Sequence, residues 1–313
     1  MKYAQATLAN RLVGHVDALY AACLGPAGTV FTAGAEGVVV QWDTATGQAL
    51  RPLAQALGAI YTLAYFEAQG LLLLGLASGG VHILALEEAP RLLHSGQAHS
   101  QGVFAFAAVG GRLLSAGGDG QLIRWGVEPI RAELALPLSP AALRALALCP
   151  TGDHLAVGGS DGQIRILNPS LAGVYAFAAH APSVFGLAYS PEGRYLYSVG
   201  RDGLLKRWDR VERYGLTHEL PAHTRAIQHI AVSPDGRYLA TASMDKTVKL
   251  WRAADLTLLK VIDGPRSQGH TNAVNRVLWL PGPTRRLLSV GDDRQALVWD
   301  LTIWEDEPGG ATP

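Results

Sequence analysis

His180, Ser198 and Asp202 are a base, a nucleophile and an orienting acid, the three side-chain types of an acyl-transfer triad. The same trio recurs as His99, Ser115 and Asp119, as His223, Thr241 and Asp245, and as His270, Ser289 and Asp293. His15 and Thr32 repeat it with Glu36 in the acid's place. One active site needs one set, so recurrence at fixed spacing points to a structural task and no catalytic residue is assigned. Each set ends in a tryptophan: Trp42, Trp125, Trp208, Trp251 and Trp299. The hydroxyl lies ten residues before it, the acid six before it, and the histidine 26 to 29 before it.

Two further copies lose three members together: they have no histidine, Leu74 or Val157 at the hydroxyl position, and Leu84 or Leu167 for the tryptophan. A buried polar group stripped of its partner costs about 1–3 kcal/mol, whereas an all-apolar replacement is nearly neutral. Joint loss is therefore what a mutually hydrogen-bonded network predicts. Asp161 survives in one of these copies, where it is expected to cap its own Asp-Gly turn.

Other chemistry finds no footing. The chain has no phosphate loop ending in Lys-Ser/Thr, no Cys-x-x-Cys, no His-Glu-x-x-His and no calcium loop. The remaining histidines (His82, His94, His154, His218, His229) lack ligand spacing. No metal and no cofactor are expected. The Gly-Gly pairs beginning at Gly79, Gly117 and Gly158 fall in strand-to-strand turns, where positive φ is wanted.

The elements that position these residues are short strands. From His223 to Trp251 the chain holds an alternating apolar run (Ile227, Ile230, Val232), a Pro-Asp-Gly turn and a second run (Tyr238–Ser243). Asp245 then sits at a tight turn before a third run ending in Trp251. Period-two runs separated by turn chemistry read as antiparallel strands. The tryptophan position recurs at 42, 84, 125, 167, 208, 251 and 299, in steps of 41 to 48 residues. A unit this short cannot bury both faces of its own sheet, so neighbours must stack. Seven four-stranded antiparallel blades in a ring, an all-β seven-bladed propeller, satisfy that need.

After Trp299 too little chain remains for another strand, and residues 2–9 resemble the outermost strand of a blade. The N-terminal segment is therefore expected to complete the last blade and hide its edge. Residues 1–304 then form one domain, and 305–313, acidic and Pro/Gly-rich, a flexible tail.

The 313 residues carry 26 basic and 26 acidic side chains. That balance argues against a dedicated nucleic-acid or anionic-membrane surface. Cys23 and Cys149, on blades far apart around the ring, cannot reach disulfide range and are expected as reduced thiols. No signal peptide or membrane span is evident, and a cytoplasmic location is expected.

The chain resembles the WD-repeat β-propeller family. Trp-Asp stands at Trp42-Asp43, Trp208-Asp209 and Trp299-Asp300, with weaker Trp125-Gly126 and Trp251-Arg252. Gly-His stands at Gly14-His15 and Gly269-His270, with histidine alone at 99, 180 and 223. The resemblance implies that each polar set is the family's intrablade Asp–His–Ser/Thr–Trp network. It also implies that the residue after the first large apolar residue of each inner strand points to the mouth of the central channel. Those residues are Tyr20, Tyr61, Phe104, Arg144, Phe185, Gln228 and Asn275.

Aromatic and arginine side chains are the usual anchors of protein interfaces. The expected site is lopsided, with an apolar floor over the first three blades and a polar border of Arg144, Arg201, Gln228, Asn275 and Asp292. A non-catalytic scaffold that docks a partner peptide or domain there, as a subunit of a larger complex, is the function expected. The alternative is a ligand-binding or catalytic site at the channel mouth. Residues 263–269, an insertion between the last two blades, are either slack or a partner-contacting loop.

Overall fold

The computed structural model describes residues 4–304. Within them the chain forms seven separate four-stranded antiparallel sheets, and six use consecutive strands. The inner strands are Leu19–Leu24, Ile60–Phe66, Val103–Val109, Leu143–Leu148, Val184–Tyr189, Ile227–Val232 and Val274–Leu280. They define blades one to seven.

The seventh sheet closes the ring. Its first three strands are Val274–Leu280, Arg286–Gly291 and Ala296–Ile303, and its outermost is Ala4–Leu12. Ala4 lies opposite Ile303 and Leu12 opposite Ala296. The closing strand was expected over 2–9 and runs three residues further towards His15. The stretch 305–313, expected as a tail, lies outside the described residues. Asn10 Nδ2 also donates to the Ala45 carbonyl of blade one at 3.3 Å, so the closing strand is tied to both sides of the seam.

The apolar interior is a ring of seven clusters, one at each boundary between neighbouring blades. At the seam, Leu288, Val290 and Val298 of blade seven meet Leu19, Val30 and Trp42 of blade one. Alternation explains this arrangement: each strand sends one row of side chains to the preceding blade and the other to the following one.

The insertion at 263–269 folds as a single helical turn, Gly264–Ser267, capped by Asp263, whose carboxylate accepts from the Arg266 amide at 2.9 Å.

Candidate functional site

Five blades hold the same hydrogen-bonded chain. In blade three, His99 Nδ1 meets Asp119 at 2.9 Å and Nε2 meets Ser115 Oγ at 2.8 Å, while Trp125 Nε1 donates to that same oxygen at 3.0 Å. Trp208–Ser198–His180–Asp202, Trp251–Thr241–His223–Asp245 and Trp299–Ser289–His270–Asp293 repeat it with every contact between 2.7 and 3.0 Å. In blade one Trp42 and Thr32 hold His15, which bonds Glu36.

The proton order follows from what each group can do. Indole N–H only donates and carboxylate only accepts, so Nδ1 carries the imidazole proton and Nε2 accepts from the hydroxyl. The hydroxyl oxygens of Ser115, Ser198, Ser289, Thr32 and Thr241 belong to residues with no solvent exposure. Ser198 thus has no route to a substrate, and its trio is a staple.

The acids respond accordingly. Burial alone would raise Asp119, Asp202, Asp245 and Asp293, but the histidine hydrogen bonds and backbone donors outweigh it and hold all four below the ordinary carboxylate range.

A glycine beside the staple has a steric reason. A Cβ on Gly117 would sit 2.2 Å from the His99 ring.

Blade four fills the vacant histidine slot with Ser139, four residues before the first inner-strand residue, as in the stapled blades. Ser139 Oγ donates to Asp161 at 2.9 Å. Asp161 caps its own turn at the Gln163 amide, as expected, and also binds Arg165 at 2.5 Å. Sequence reading missed Ser139 because it searched for histidine; the fixed offset would have found it.

At the channel mouth, every inner strand has a β-bulge at the same register. In blade one Leu19 pairs with Gly34 and Ala21 with Ala33, leaving Tyr20 as the extra residue. The other six bulges leave Tyr61, Phe104, Arg144, Phe185, Gln228 and Asn275 in that position. A bulge re-aims a side chain out of the pleat. All seven line one depression of about 380 Å³ at the mouth.

The aromatic side pack on one another and keep part of their surface in solvent. Tyr20 meets Tyr61 edge-on with centroids 5.7 Å apart, and Tyr61 stacks on Phe104 at 5.7 Å. Arg144 lies over Phe104 and nearer to it than to Phe185. Asn275 Nδ2 donates to the Leu19 carbonyl and to Asp292 Oδ1, both at 2.7 Å. Burial, then Asp292 and Asp17, push the Tyr20 phenol up. Arg201 is exposed, and neither it nor Asp292 lines the depression itself.

Below the mouth a second cavity of about 370 Å³ continues down the channel. Its wall includes three residues that sequence reading did not bring together: Cys23, His229 and Arg276. Cys23 and Cys149 are both unpaired. Burial pushes the Cys23 thiol up to about 12. The other histidines outside the staples meet local partners, His154 the Tyr214 hydroxyl at 2.8 Å and His94 the Trp125 ring.

A seven-bladed ring of four-stranded sheets, stapled by Trp, Ser/Thr, His and Asp, defines the WD-repeat class of β-propeller. The family model for the WD domain, G-beta repeat (WD40) matches residues 138–168, 173–209, 215–252 and 263–300. The chain is a WD-repeat propeller. The matches fall on blades four to seven, although blades one and three carry the staple in full view of the structure. Among curated proteins, the chain is 29% identical over 119 residues to Protein groucho of Drosophila melanogaster. That stretch is 37% of this chain and 16% of the relative. It is 30% identical over 92 residues to WD repeat-containing protein 91 homolog of Dictyostelium discoideum, which is 29% of this chain and 12% of the relative. Against WD repeat-containing protein 91 of Danio rerio it is 29% identical over 125 residues, 39% of this chain and 17% of the relative. The matches thus span less than a fifth of the length of these relatives.

Proposed function

We propose that the chain is a non-catalytic interaction scaffold that docks a partner peptide or domain around the channel mouth. The observation that carries this is the row of seven bulges, which turns three mutually packed aromatics and an arginine towards one concave surface. The staples hold that surface rigid, so a partner docks with little ordering cost. Kinship with WD-repeat proteins supports the same reading. The scaffold is proposed to work as a subunit of a cytoplasmic complex, an assignment supported by two unpaired thiols. Balanced charge supports a protein partner over nucleic acid or an anionic membrane.

The test is affinity. Once a partner has been recovered from the source organism and purified, the triple variant Tyr20→Ala, Tyr61→Ala, Phe104→Ala should bind it about 30-fold or more weakly by calorimetry, the equivalent of ~2 kcal/mol. Unchanged affinity with an intact fold would reject the mouth as the docking site.

A further inference from the structure

The inner-strand position after each bulge is small or short in five blades: Ala21, Thr62, Ala105, Ala145 and Gly186. In blades six and seven it is His229 and Arg276. Five blades therefore leave a lumen that two large cationic-type side chains enter. Arg276 spans it: its Nη2 reaches Thr62 Oγ1 of blade two, with blade one between them, at 3.4 Å. That contact is too long to satisfy a guanidinium, which has five N–H donors.

Arg144 lines the same lumen from blade four and also the mouth above. Among the described residues no carboxylate lines either cavity. Asp292 lies at the rim, bonded to Asn275. His229 stands beside Arg276, and its Nδ1 is buried without a hydrogen-bond partner. The channel thus gathers two guanidinium groups with no carboxylate to meet them. Both arginines are half-buried, and a guanidinium drawn partly out of water is stabilised when a counter-charge reaches it.

We propose that the channel interior is an oxyanion site, in which Arg276 and Arg144 hold a carboxylate or a phosphate-type group by charge-assisted hydrogen bonds. The site lies beneath the docking surface, and its occupation does not depend on a partner. Electrostatics agree. Burial lowers Arg276 to about 10, still charged at neutral pH, and burial together with Arg276 holds His229 down at about 3, neutral. His229 therefore adds no third charge to the two arginines.

The experiment uses the full chain in a chloride buffer at constant ionic strength, titrated separately with sodium phosphate and with sodium acetate while the thermal midpoint is followed. Phosphate stabilises many proteins without binding, so the readout is the difference between wild type and Arg276→Met. A saturable rise of roughly 3 °C at ten times Kd, lost in R276M and kept in Arg266→Gln on the exposed 263–269 insertion, is the expected result. The anion giving the tighter saturation distinguishes a phosphate from a carboxylate source. A flat response to both anions, or an equal rise in R276M, overturns the site. Crystals of wild-type protein grown with selenate provide a readout that does not need the variant to fold. An anomalous peak within hydrogen-bond reach of Arg276 supports the site, and its absence overturns it.

Discussion

The guanidinium carbon of Arg144 lies 3.9 Å from the ring centroid of Phe104, while Arg144 Nε donates to Ser160 Oγ at 3.1 Å. One side chain thus closes the aromatic row of blades one to three against blade four. A planar guanidinium can stack and donate at once, and an ammonium cannot. Arg144→Lys should therefore behave much like Arg144→Ala. Each is expected to lower the unfolding free energy by about 1 kcal/mol in urea titration. A lysine variant as stable as wild type would show that charge alone suffices.

Ser115 is the shared acceptor and donor of its staple, whereas Ser139 Oγ donates to one acid and accepts from the Ala141 amide at 3.1 Å. Ser115→Ala leaves both the Trp125 indole and His99 Nε2 buried without a partner, and should cost about 2–4 kcal/mol. Ser139→Ala leaves Asp161 with Arg165 and its own turn, and should cost no more than about 1 kcal/mol. Chemical denaturation of the two variants checks the ordering. Equal losses would contradict the network.

Asp245 tests the acid limb. Burial raises its carboxyl, but His223 and Thr247 outweigh that and hold it well below the ordinary 3.8. A depressed folded value gives stability that is full above 3.8 and drains away as pH falls through the folded value. His223, which burial holds below 6.5, also favours the fold less as pH drops, because the unfolded chain takes up its proton first. Asp245→Asn should be less stable at pH 7 by about 1–3 kcal/mol, and its deficit should shrink below pH 4. Parallel stability curves for the two proteins between pH 7 and pH 2 would rule this out.

Removing Ala4–Leu12 exposes the edge of Ala296–Ile303. Only Ala4 and Leu12 of the closing strand are buried, so it contributes backbone pairing more than apolar area. The truncated chain should keep its far-ultraviolet strand signal, lose roughly 5 °C or more in midpoint, and self-associate through the bared edge. Light scattering after size exclusion measures this. A monomer of unchanged midpoint would mean the seam needs no cover.

Much of this was readable before any coordinates. The Trp spacing located every blade, and the coupled loss of His, Ser/Thr and Trp in blades two and four separated staple from active site. The mouth residues could be placed only through the resemblance to WD-repeat propellers, because the cause, a bulge in every inner strand, leaves no mark in the composition. The same bulge hid Arg276 and His229. An extra residue shifts the alternation, so a period-two count run on from Val274 or Ile227 does not say which side chains face the lumen. Ser139 was missed for a different reason: it does a histidine's task with one hydroxyl.

Ala4 and Ile303 face each other across an antiparallel pair, so the two ends of the described chain leave the ring side by side. Tension applied between them would load the ladder one hydrogen bond at a time, like a zip drawn from its open end, rather than shearing all of the rungs together. Pulled by its ends, the ring should therefore give way first along this one seam.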